Sequence, residues 1–142
     1  MKKEEDTLGE TALRSEGTQG RAWMAGLLAW AVPGAGHLSV GRAVRGLVLG
    51  GGVWLMFLTG LWLGGHLYSL FSSTTGLLSY VFGFFNLGTG LLYVLCRAAE
   101  IGVVDQAHLA TSEYGNIFLM VAGLLNFLLA LDAFDIGAGR KS

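Results

Sequence analysis

The sequence predicts an all-α integral membrane protein, a bundle of about four transmembrane helices whose first span is broken by proline and glycine. Three observations carry that expectation. Only 13% of the 142 residues are charged and 53% are hydrophobic, whereas a soluble domain averages roughly 25% charged. Nine of the nineteen Lys, Arg, Asp and Glu residues fall within positions 1–21. Residues 46–96 then run 51 positions without one. A small soluble domain has too much surface for its volume to keep such a stretch dry. A bilayer can, because a helix of about 20 apolar residues crosses its core of roughly 30 Å. A closed barrel would require alternating polar positions that are absent here.

The elements follow in chain order. Residues 1–21 are polar, carry both signs of charge and lack aliphatic periodicity, so they are expected to form a mobile tail. They do not resemble a signal peptide, whose basic start is followed promptly by its apolar core. The first span is expected over about 22–38, broken by Pro33, Gly34 and Gly36. If Pro33 ends its helix, the apolar part reaches only about 16 Å, half a membrane, and a re-entrant first segment results. The second span is expected over about 44–63 and the third over 77–96, with the Gly- and Ser-rich stretch 64–76 as the turn between them. Residues 97–114 hold Arg97, Glu100, Asp105, His108 and Glu113 and belong in water or at the interface. The fourth span covers about 115–134, and a short basic tail (136–142) follows. Trp23, Trp62, Tyr80, Tyr93 and Tyr114 fit an interfacial aromatic belt.

With four crossings, the two termini share a side with the 64–76 turn. Six Lys and Arg residues then stand on that side against Arg42, Arg45 and Arg97 opposite, a six-to-three balance that favours cytoplasmic termini. The net charge of −1 gives no sign of nucleic-acid binding. Cys96, the single cysteine, reads as a small packing residue rather than a reactive thiol.

The most distinctive motif is Pro33-Gly34-Ala35-Gly36-His37, followed by Gly41-Arg42, Arg45 and Gly46. Its glycines permit positive φ and close backbone approach at a sharp turn. His37, Arg42 and Arg45 are therefore candidates to face lipid phosphate, or to meet Glu100 or Asp105 across two loops on one side. The bland reading is a tight turn with snorkelling arginines. The motif is not a phosphate-cradling Walker loop, which needs G-K-[ST].

That P-G-x-G-H-x-x-x-G-R turn resembles the turn of the two-transmembrane-helix domain family, from which it departs at Leu38-Ser39-Val40, where aromatics are usual. It is more similar to a bacterial multispan membrane-protein family carrying a domain of unknown function. There such a turn is joined to a late span ending in L-N-x-L-x-x-x-D-A-[FY]-D, matched here by Leu125-Asn126-Phe127-Leu128 and Asp132-Ala133-Phe134-Asp135. The resemblance covers about residues 23–135. It implies a shared architecture, a place in the bacterial inner membrane and no particular activity.

Glycines recur at helical spacing. Gly46 and Gly50, and Gly60 and Gly64, are four apart, whereas Gly76, Gly83 and Gly90 recur every seven, with Asn86 near their face. On the last span Asn116, Gly123 and Ala130 also recur at seven, with Asn126 three after Gly123. Small residues let helices approach, and Asn bonds across the contact for about 0.6–2 kcal/mol. Ordinary packing explains this pattern; the sharper reading lines a polar pathway with Asn86 and Asn126.

Three functional readings follow. The first is a small non-enzymatic membrane protein that acts through helix packing, as a homo-oligomer or an accessory subunit, with lipid around it and no cofactor or metal. The second is a small channel or transporter. The third is a membrane-embedded enzyme acting on lipid, centred on His37 and the acidic loop. The scarcity of intramembrane ionisable groups weighs against the second. The lack of a recognisable nucleophile–base pair weighs against the third.

Overall fold

The computed structural model describes residues 2–69, 76–104 and 106–141. Six helices account for most of them: α1 (Lys2–Ala31), α2 (Ala35–Ser39), α3 (Ala43–Trp62), α4 (Leu77–Leu87), α5 (Leu91–Ala98) and α6 (Ser112–Gly137). Asp105 lies outside the described residues.

Two helices, α3 and α6, are long and apolar enough to cross a membrane, and the count rises to three only if the bent pair α4–α5 is one span. They correspond to the expected second and fourth spans. They run antiparallel, as the contacts along them show. Arg45 stands 3.9 Å from Asp132 at one end, and a Cβ on Gly60 would lie 2.8 Å from Leu119. At the other end the Thr111 hydroxyl donates to the Leu63 carbonyl at 2.9 Å. Their shared core joins Val53 and Phe57 of α3 to Leu119, Ala122 and Leu129 of α6, with Leu67, Leu92 and Tyr93 filling the gap.

The first segment differs from a full crossing. Residues 2–21, expected as an irregular tail, are helical and continuous with 22–31; Glu, Lys, Leu, Ala and Arg are good helix formers and outweigh the interspersed glycines. The helix α1 stops at Ala31, because Pro33 cannot donate the next backbone bond and its ring excludes continuation. Gly34 then takes φ +91°, and the Gly46 carbonyl occupies the place a Cβ would need. The chain doubles back. A Cβ on Gly36 would meet the carbonyl of Ala25 and the methyl groups of Ala29 and Ala133, so α2 lies against α1 in a groove of small residues.

The depth of this hairpin is read along α6. Gly137 sits beside Ala22, and Gly26 beside Ala130 and Phe134. The Asn126 amide reaches the Trp30 carbonyl at 2.9 Å, midway along α6. The segment thus enters half the depth and returns to the level of Asp132, where α3 begins. It is re-entrant.

The expected third span is also broken. The helices α4 and α5 meet at 111°, around Gly88-Thr89-Gly90. Gly90 has φ +62°, and the Trp30 carbonyl fills its missing Cβ position. Both arms of this second hairpin touch Tyr68: Phe82 of α4 stacks on its ring at 5.4 Å, and the Tyr93 hydroxyl of α5 donates to its carbonyl at 3.0 Å. Arg97 donates to the Leu67 carbonyl at 3.1 Å. The second hairpin therefore leaves from and returns to the end of the bundle opposite the termini. Gly76, Gly83 and Gly90 do not share one helical face, since Gly90 lies in the bend beyond α4. Tyr93 is buried in the core rather than part of an interfacial belt, whereas Trp62 and Tyr114 are exposed.

Candidate functional site: the mid-depth junction at Asn126

The tips of the two hairpins, one from each end of the bundle, meet at Asn126. Its Nδ2 donates to the Trp30 carbonyl at 2.9 Å and to the Gly88 carbonyl at 2.8 Å. Both carbonyls belong to helix C-termini, where the last four C=O groups lack an intrahelical donor. One side chain therefore caps α1 and α4 at once. Close approach makes this possible. Gly123 touches the Phe85 carbonyl directly, and Gly88 presses on the Gly123 carbonyl and the Phe127 ring. Any larger residue at 123 would separate α4 from α6.

Below Asn126 the polar thread continues. Thr89, fully buried, donates its hydroxyl to the Asn86 carbonyl at 2.7 Å. Asn86 Nδ2 reaches the His66 carbonyl at 3.5 Å, and the His66 backbone N–H donates to Asn116 Oδ1 at 2.7 Å. Above it, buried His37 holds Asp132 at 3.0 Å through Nε2. From Asn116 to Asp132 the thread follows about 24 Å of α6 at 1.5 Å per residue. Among the described residues, four buried polar atoms along it have no hydrogen-bond partner: His37 Nδ1, Asn126 Oδ1, Asn86 Oδ1 and His66 Nδ1. Each such atom costs about 1–3 kcal/mol unless water or a ligand reaches it.

Asp132 gathers cations at the outer end. Lys141 lies 3.0 Å from it and Arg45 3.9 Å, while Arg140 lies 3.5 Å from Asp135. These partners offset the repulsion of two carboxylates at a helix C-terminus. Arg42 starts α3, where its N–H donates to the His37 carbonyl at 2.8 Å.

Glu100, exposed and at φ +58°, stands in the loop after α5, at the far end of α3. The structure thus separates Arg42 and Arg45 from Glu100. The expectation that they meet counted the first segment as a crossing; because that segment folds back, α3 starts at the end of the bundle away from Glu100. Of the other residues singled out, Gly83 is buried within α4, and Gly90, Gly123, Asn86 and Asn126 all lie at or beside the junction. Sequence reasoning missed Trp30, Gly88 and Thr89, whose contribution is backbone carbonyls or a hydroxyl exposed by a bend. The G-T-G triplet at 88–90 was the available signal.

Fold and junction together define a small all-helical protein with membrane-length helices, in which two half-depth hairpins are pinned to a long helix by one asparagine. The chain belongs to a Family of unknown function (DUF6677), whose profile matches residues 24–142. That match takes in both the Pro33 turn and the segment ending at Asp135. No curated protein and no solved structure matches the chain.

Proposed function

We propose that this protein is a gated conduit for small polar solutes across the bacterial inner membrane, the channel reading rather than the packing one. A single observation carries it: two hairpins from opposite ends meet at mid-depth on Asn126, beside buried polar atoms that no described residue satisfies. Irregular backbone at membrane depth is tolerated where protein buries it or where it lines a water-filled cavity. Discontinuous helices meeting near the midplane are a common way to build a solute site. The contacts at Gly88, Gly90 and Gly123 describe the shut state, and passage requires the tips to part.

The same topology bears on orientation. Eight of the nine Lys and Arg residues occupy segments at the end carrying both termini (2–21, 42–45 and 140–141), and only Arg97 stands at the other. Eight to one is a firmer positive-inside signal than six to three and supports cytoplasmic termini.

The test is solute flux in proteoliposomes. Wild type should raise the permeability of small polar solutes above that of empty vesicles, and Asn86→Val should abolish the increase. Valine is close to asparagine in size, and the bond it removes is a long one of 3.5 Å, so the variant retains its fold. Wild-type permeability equal to that of empty vesicles would overturn the conduit reading. A second reading, assembly through helix packing, draws on Gly51 and Gly52, which have open space beside them on the outer face of α3. Small residues there admit a neighbouring helix, and cysteine cross-linking at Gly51 would report a second copy.

A further inference from the structure

The junction at Asn126 gathers oxygen acceptors. Helices α1 and α4 both point their C-terminal ends at it, at Ala31 and Leu87. A helix C-terminus carries the negative end of the macrodipole, equivalent to about half an elementary charge. Two such ends converge here inside the protein, where screening by water is weak, and the N-terminus of α5, capped by Gly90 against the Trp30 carbonyl, brings one positive end to the same bend. The named side chains at the meeting point, Asn126, Asn86 and Thr89, are all neutral. What answers the two carbonyls is the Asn126 amide, whose two N–H dipoles point at Trp30 and Gly88 at 2.9 and 2.8 Å. Its Oδ1, on a side chain with no exposure, has no partner among the described residues. The protein thus places the amide donor between two carbonyl oxygens and leaves the matching amide oxygen without a partner among the described residues.

We propose that this junction binds a small monovalent cation through the carbonyl oxygens of Trp30 and Gly88 and Oδ1 of Asn126. The inference deepens the conduit reading and rests on it for the ion's passage, though not for its binding. In the shut, ion-free state the Asn126 NH2 group stands in for the ion. A half-turn about χ2 exchanges NH2 for oxygen at the same point, since the two ends of the amide are nearly alike in size. Three oxygens then face one position, and a cation entering there satisfies them together while the hairpin tips move apart. Carbonyl and amide oxygens suit hard cations, as unwound helix ends do in membrane transporters. The lack of a carboxylate among the three ligands selects a monovalent ion, because divalent sites recruit negative side chains. Asp132 lies two turns away on α6 and is already engaged by His37 and Lys141.

The experiment uses the full chain, in detergent and in liposomes. Thermal unfolding is followed in the chlorides of sodium, potassium, lithium and N-methylglucamine at constant ionic strength. One of the small cations should stabilise wild type saturably, and N-methylglucamine should not. Asn126→Asp separates an ion site from a mere clamp. Its carboxylate faces two carbonyls, so it should be less stable than wild type in N-methylglucamine. The small cation should rescue it, with half-saturation at about tenfold lower concentration than for wild type because a full charge replaces a dipole. Destabilisation of Asn126→Asp in every salt, with wild type indifferent to the cation, would overturn the ion site. Passage of neutral polar solutes would leave the conduit standing in that case. Cation-specific stabilisation and rescue without flux of any solute would uphold the ion site and overturn the conduit.

Discussion

Asn126 shows how much one side chain can decide in an apolar setting. Its amide closes two helix ends that hydrocarbon cannot solvate, so truncation leaves two carbonyls without that donor. Asn126→Ala is expected to lower stability by about 1–3 kcal/mol, read as a shift in the unfolding midpoint in mild detergent. Asn86→Val, which loses one long bond and removes an unpartnered oxygen, should cost less than about 1 kcal/mol in the same assay. Equal losses would mean that Asn126 is not the pin. His37 is the second residue of this kind. It is buried with its Nε2 on Asp132, so Asp132→Ala should free the α2 turn. A cysteine introduced at Leu38, with Cys96 replaced by alanine, should then react faster with a water-soluble thiol reagent than it does beside intact Asp132.

At the scale of elements, the hairpins exist because glycine allows backbones to touch. Gly36 lies against the Ala25 carbonyl and Gly123 against that of Phe85, and each contact draws a short helix onto a longer one. Gly36→Val should therefore detach α2 from α1 and leave the chain unstable in detergent, because neither backbone can yield. Gly51→Ala is the contrast. With nothing within 4 Å of the added methyl, it should be neutral or stabilise α3 by about 0.5–1 kcal/mol, the helix-propensity difference between glycine and alanine. Paired melting curves for the two variants check both expectations. Broken helices also mark the limit of hydropathy in the third segment. Residues 77–96 are uncharged throughout and mostly apolar, and that pattern does not distinguish a straight span from two shorter arms.

For the whole molecule, the decisive property is parity. The fold-back before α3 brings residue 39 to the same end of the bundle as both termini, whereas a full first crossing would put it opposite them. Single cysteines at Gln19, Ser39 and Lys141, in a chain with Cys96 replaced by alanine, should label together with a membrane-impermeant maleimide. A cysteine at His108 should label from the other side. Labelling of Ser39 with His108 would restore a full first crossing. It would also break the eight-to-one distribution of Lys and Arg on which cytoplasmic termini rest.

Charge and apolar length were enough, read along the chain, to establish helices of membrane length and the bounds of α3 and α6 to within a few residues, because burial in hydrocarbon acts on each segment independently. The turn at Pro33 was legible for the same reason, since proline acts on its own backbone. So was the choice of Asn86 and Asn126 as polar residues in apolar surroundings. Where the chain goes after each break was not legible. Whether Gly34 or Gly88-Thr89-Gly90 sends a helix onward or back depends on what lies beside it: the Gly46 carbonyl against Gly34, the Trp30 carbonyl against Gly90, and small residues along α1 and α6 that accept a returning arm. The two carbonyls lie 12 and 60 residues away in sequence from the glycines they touch. The meeting of two carbonyls on Asn126 is likewise a product of tertiary structure, because a carbonyl has no signature in the sequence until a bend exposes it and a distant side chain reaches it.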